Sequence, residues 1–487
     1  MPDTTQAITH KAIKSTKWVF LSTGITKIWQ PIVTIILARL LVPADFGLMA
    51  LATIAISFIS LFQDMGLNAA LIQCKDRIKE AANIVFWTNM GMGVLLYLML
   101  FVSAPYIAIF FENKDVANIL RVIGLTFLII PLGSVPLVLL SKELEFRKLF
   151  YFDIIPAIVP GTISIIFAFS GYGVWALVYG SLSGRVLTVI AVWCLNNWRP
   201  VLRCDFSILK YLLRFGSYVS VESIQLWGLN TIDNIFVGRF FNSGQLGIYS
   251  MGFSIAFMLP SNILTPMSRL LFPTLSKLQD NIVDIQKVCL RVLKINTLIS
   301  FPLGLFLILS ADKLVPVFLG DKWVPIIPVI KLLAPYGMVA SIVGFSTTVY
   351  KAIGRPDIMP KFYTARLLVS VPAYYFAAQK GLISLCITHL ILVSIFAPIN
   401  FYIFMKVLRI KTSTVINTFK DIVICCFLSA VMGYLLTGYI SSKYYVGDIT
   451  HLITFMLIFA LLYLLLLQSV GRKTYGELKK ILYVAIT

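Results

Sequence analysis

Along this chain, long apolar stretches alternate with short polar ones. Fourteen apolar runs lie near residues 17–41, 47–71, 83–111, 119–140, 151–170, 173–194, 214–241, 245–273, 291–311, 325–350, 361–379, 382–405, 421–440 and 450–470. A bilayer core is crossed by about 20 residues of α-helix, so each run is a spanning candidate. The pattern predicts an all-α integral membrane protein of about 14 transmembrane helices. The polar connections are short, and none is large enough to fold as a separate soluble domain. The first run follows a polar stretch and is too long for the apolar region of a signal peptide.

The connections alternate in charge. The N-terminal segment, the even-numbered connections and the C-terminal tail together hold 28 Lys and Arg residues, and the opposite side holds 5. Basic residues are retained on the cytoplasmic side of multi-pass proteins, which predicts that both termini are cytoplasmic. A miscounted span would destroy the alternation. Composition agrees: 59% of residues are hydrophobic and 13% charged, against about 25% charged in soluble domains. The net charge of +20 is mostly loop bias, so no nucleic-acid partner is expected. The seven cysteines form no CxxC pair or Cys/His cluster, and neither a metal site nor a disulfide framework is expected. The tryptophans Trp87, Trp175 and Trp323 fit interfacial belts.

The stretch ILARLLVPADFG (36–47) is echoed by FVGRFFNSGQLG (236–247). Arg39 answers Arg239, Gly47 answers Gly247, and upstream Gln30 answers Asn230. The copies join spans one and two, then seven and eight. An offset of six spans keeps the same orientation in the membrane, as in transporters built from parallel repeats. The expected organisation is an N-lobe over 1–200, a C-lobe over 201–410, and two additional helices with a tail over 411–487. Near the ends of their spans, Arg39 and Arg239 are expected to snorkel or cap a helix carbonyl, with substrate contact as the competing role.

The stretch VTIILARLLVPADFGLMALATIAISFISLFQDMGLNAALIQ (33–73) resembles the opening of the polysaccharide transporters, the Wzx-type flippases of the MATE/oligosaccharidyl-lipid/polysaccharide flippase superfamily. KELEFRK (142–148), LLRFGSY (212–218), SRLLFPTLSKLQD (268–280) and FLGDKWVPIIPVIKLL (318–333) extend the resemblance over about residues 10–410, most closely to the colanic-acid and teichuronic-acid exporter branch. The resemblance implies two six-helix lobes in a V around a cationic cavity. It implies transport of undecaprenyl-diphosphate-linked oligosaccharide to the outer leaflet of a bacterial inner membrane, for surface polysaccharide export. It requires no cofactor or covalent chemistry. It also implies polysaccharide polymerase or export machinery as a partner.

Such a cargo pairs a pyrophosphate with a polar sugar, which calls for cations and hydrogen-bond donors in a wet site. Lys27 and Gln30 share one face of the first span with Thr34, and Lys27 lies about 15 Å in from Lys17. With Arg185, Arg269 and Arg366 they are the headgroup candidates. Interhelical ion pairing is the competing role for Lys27, Arg185 and Arg366, and snorkelling at a helix end for Arg269. Asp64, Glu222 and Asp233 are candidates for H+ or Na+ coupling, or for salt bridges and capping. Glu222 and Asp233 are eleven residues apart, about three helical turns. A drug or cation antiporter of the same superfamily would favour acids over this mainly basic set. A membrane-embedded polymerase would need a carboxylate or histidine constellation on a loop, and His10, His389 and His451 are scattered.

Overall fold

The structure is a computed structural model, described here for residues 24–64, 66–73, 77–142, 146–201, 206–278, 281–444, 447–472 and 475–476. Among these residues every one of the fourteen apolar runs is helical and there is no strand. Nine stretches of the described residues are long and apolar enough to cross a membrane. The chain is an all-α, multi-pass membrane protein.

The helices are α1 (24–40), α2 (Pro43–Asp64), α3 (Leu67–Gln73), α4 (Ile78–Phe110), α5 (Asp115–Ile123), α6 (Thr126–Lys142), α7 (Phe146–Phe169), α8 (Val174–Leu195) and α9 (Phe206–Phe240). They continue with α10 (Ser243–Lys277), α11 (Ile282–Phe318), α12 (Ile327–Val343), α13 (Ser346–Ala352), α14 (Ile358–Ala378), α15 (Leu382–Leu408), α16 (Thr412–Lys443) and α17 (Asp448–Ser469), with a 3-10 turn over Asp321–Ile326. Among the described residues, three spans are made of two helices each. Span two breaks at Gly66, which has φ 74°. Spans four and ten, equivalent under the six-span repeat, break after Gly124 and Gly344, where the helices restart on new backbone hydrogen bonds.

The chain divides into two compact units, Met1–Gly247 and Ile248–Thr487. In the first, Leu67, Leu71, Ala81, Val85 and Val135 bury one core. Helices α7 and α8 approach closely through small residues, as membrane helices do where lipid offers no hydrophobic driving force. A β-carbon at Gly184 would collide with the Pro160 ring, and one at Gly180 with Ser164 and the Pro160 carbonyl. The segment after α8 is strapped to α4: Trp87 Nε1 donates to the Val201 carbonyl at 3.2 Å, and Val201 N donates to Asn83 Oδ1 at 3.0 Å. Trp87 therefore works as a strap anchor.

In the second unit α11 is the central support. Asn296 Nδ2 donates to the Ser341 carbonyl on α12 at 2.9 Å. On another face, Leu298 packs with Ile422, Cys425, Phe455 and Phe459 of the last two helices, and Tyr463 OH donates to the Leu298 carbonyl at 3.3 Å. Trp323 departs from the belt expectation. It is 0% exposed, because the 3-10 turn that carries it folds back onto α11 and α12.

Candidate functional site

The two echoed turns meet inside the first unit. At the start of α2, Pro43 occupies the first helical position, where its missing N–H costs nothing. Asp45 then reaches back to accept from Val42 N at 3.1 Å. At the start of α10 the other half of the capping exchange is used, with Asn242 Oδ1 accepting from Gln245 N at 2.9 Å. Each turn is seated on the other by its glycine. A β-carbon at Gly47 would collide with the Ser243 carbonyl, and one at Gly247 with the Pro43 carbonyl. Positions 43 and 47 answer 243 and 247, so the contact is reciprocal about a local two-fold.

Arg239 closes the same region. Its Nη1 donates to Glu112 Oε1 at 2.5 Å, and its guanidinium carbon lies 5.9 Å from the Phe110 ring centroid. The expectation of a snorkelling or carbonyl-capping Arg239 is therefore corrected to an interhelical ion pair. Glu112 follows the end of α4 in the left-handed region, with φ 52°. Asn113 N donates to Ala108 O there, the pattern of a helix terminator that usually carries glycine. Sequence reading missed Glu112, since an acid at the end of an apolar run reads as a solvated turn. Gly238 seats α9 on Leu51 and Phe111. One face further along, Trp227 Nε1 donates to Ser57 Oγ at 2.9 Å and its ring lies 4.8 Å from that of Phe58.

The remaining candidates sit on several elements. On α1, Lys27 is half-buried and Gln30 exposed, and Thr34 Oγ1 donates to the Gln30 carbonyl at 2.9 Å. On α9, Glu222 is half-buried and Asp233 is 1% exposed. Asp233 Oδ1 accepts from Asn234 N at 2.8 Å and Asn234 Nδ2 at 3.2 Å. Arg185 on α8 is half-buried and, among the described residues, has no hydrogen-bond or ion-pair partner. Arg366 on α14 is half-buried, and its Nε is buried without a hydrogen-bond partner among the described residues. Interhelical ion pairing, the alternative role for both arginines, finds no acid there. By contrast Lys331, another basic residue within a span, pairs with Asp312 at 2.7 Å. The side chains of Asp64 and Arg269 lie outside the described residues, at the last residue of α2 and within α10. Lys27, Gln30, Arg185, Glu222 and Asp233 fall in the first unit, Arg366 in the second. No group of three or more His, Cys, Asp or Glu able to hold a metal occurs among the described residues.

The family described as "Polysaccharide biosynthesis protein" matches residues 36–328. The chain is 25% identical to the lipopolysaccharide biosynthesis protein WzxC of Escherichia coli K12 over 403 residues, 82% of each chain. It is 27% identical to the teichuronic acid biosynthesis protein TuaB of Bacillus subtilis 168 over 436 residues, 89% of each. In fold it is similar to the lipid II flippase MurJ in an inward closed conformation, with a TM-score of 0.75 at 15% identity, covering 95% of this chain and 99% of that one.

Proposed function

Because the chain belongs to the polysaccharide biosynthesis protein family, we propose that it is a flippase for polyprenyl-diphosphate-linked oligosaccharide. It carries repeat units from the cytoplasmic to the outer leaflet of a bacterial inner membrane by alternating access, with both termini cytoplasmic, and it is not an enzyme. The names of its relatives support the substrate class. The observation that carries the reading is the pair of half-buried cations, Arg185 and Arg366, without an acidic partner among the described residues. A charge at a helix centre costs about 2.5–3.5 kcal/mol on insertion scales, so cations kept there without a fixed counter-ion are suited to a transient anion. A pyrophosphate supplies one, and a guanidinium binds it through paired N–H donors.

In this mechanism the lipid tail remains in the bilayer while the headgroup moves along polar helix faces. Lys27 and Gln30 on α1 and the basic side chains Arg185, Arg269 and Arg366 attract and orient the diphosphate and first sugar. Asp64, Glu222 and Asp233 bind H+ or Na+, which couples the return step to an ion gradient. A polymerase or export complex takes the delivered unit at the outer face. The test is depletion of the protein in cells that make the polymer. Lipid-linked repeat units then accumulate in the inner leaflet; their arrival in the outer leaflet at the parental rate would overturn the assignment.

A further inference from the structure

The reciprocal turns form a contact that can seat fully in only one arrangement. Gly47 and Gly247 each place bare backbone against the opposite turn's carbonyl, and neither helix start can approach the other if a side chain is added. Arg239 ties the end of α9 to the turn after α4. That turn holds a non-glycine residue, Glu112, at φ 52°, a backbone region disfavoured for residues with a β-carbon. Glycine would fit this helix terminator with less strain. Only a residue with a carboxylate there gives Arg239 its partner.

We propose that these turns are a gate at the C-terminal ends of α1 and α9, shut in this structure, with Glu112 as its latch and Gly47 and Gly247 as its seat. The gate parts along this seam each time the headgroup leaves. The proposal rests on the translocation reading and specifies which contacts must break in it. The pseudo-two-fold geometry makes closure all-or-none, since both glycines seat together. Partial exposure of the ion pair, 40% for Arg239 and 70% for Glu112, sets the latch as a modest bias. The glycine seat carries most of the closure.

The test is a pair of spin labels at Lys114→Cys and Gln245→Cys, both exposed positions flanking the seam. They are placed in the full chain, with its seven native cysteines replaced, in lipid nanodiscs without substrate. The distance distribution is measured by pulsed electron resonance. The parent is expected to show a dominant short distance. Gly47→Ala or Gly247→Ala should replace it with a longer one. Glu112→Arg or Arg239→Glu alone should lower the ratio of short to long populations about 1.5- to fivefold, the range expected of a partly exposed ion pair. The double exchange Glu112→Arg with Arg239→Glu should restore that ratio. Glu112→Gly separates a latch from a helix terminator: the thermal midpoint should hold or rise while the short population falls. An unchanged distribution in both alanine variants overturns the gate. A double exchange no closer to the parent than the singles overturns the latch, and it remains decisive even where an alanine variant fails to fold. No substrate is present, so a failed gate is distinguishable from a failed flippase assignment, which is read from export in cells.

Discussion

Arg366 offers a direct way to separate a binding residue from a structural one. It lies eight residues into the 21-residue α14, about 12 Å from its start, and its Nε is buried with no hydrogen-bond partner among the described residues. A buried donor left unsatisfied costs about 1–3 kcal/mol, more when charged. Arg366 is half-buried, so the lower part of that range applies. Arg366→Met keeps the long apolar stem and removes the charge and the orphan donor. The expected result is a gain of about 1–2 kcal/mol in unfolding free energy, measured by denaturant titration in mixed micelles, with loss of polymer export in cells. Arg366→Lys keeps a charge without the planar fork and should retain part of the export. A side chain retained at a cost in stability and needed for export is acting on a ligand. A loss of 1 kcal/mol or more in Arg366→Met would reveal a structural partner, and parental export would remove Arg366 from the headgroup site; either refutes the reasoning.

Other consequences follow from the packing. Trp227→Phe deletes the hydrogen bond to Ser57 and keeps most of the ring contact with Phe58. It should cost about 1 kcal/mol in micelle unfolding, and a neutral result would mean that the bond contributes nothing. Trp323→Ala empties a fully buried site and should cost about 3–5 kcal/mol, whereas an interfacial tryptophan would lose far less. The final two helices should depend on apolar burial and little on their exposed ion pair. Phe459→Ala, at 5% exposure, should cost about 3 kcal/mol or more, and Asp448→Asn, which removes the 2.6 Å contact with Lys313, under about 1 kcal/mol. Equal losses in the two variants would contradict that ranking.

Among the described residues, every one of the fourteen runs located by hydropathy is helical, because a span must present a nearly unbroken apolar surface to lipid. It could not find the breaks at Gly124 and Gly344, since one glycine barely changes a window average and the apolar pattern continues across it. The echo of Arg39 and Arg239 was legible as a repeat, but its physical content was carried by the glycines. Gly47 and Gly247 matter for the backbone that they admit, which no side-chain pattern records. Glu112 was invisible for a related reason, since its partner is 127 residues away in the sequence. Trp323 followed a compositional rule for tryptophan in membranes, and the fold-back of a 3-10 turn overrode it. Among the site candidates, the sequence identified charges within spans but could not tell paired from unpaired. Lys331 proved to be paired with Asp312, whereas Arg185 and Arg366 have no acid beside them among the described residues.

The central claim is translocation of a diphosphate-linked headgroup, and it is tested most directly with purified protein. Proteoliposomes carrying a polyprenyl-diphosphate oligosaccharide in both leaflets are exposed to a membrane-impermeant glycosidase, and the fraction cleaved over time is measured. With the parent protein the inner-leaflet pool should become accessible and cleavage should approach completion, while Arg185→Gln/Arg366→Gln should leave it near the protein-free level. Cleavage stopping at the outer-leaflet fraction with correctly inserted parent protein would contradict the account.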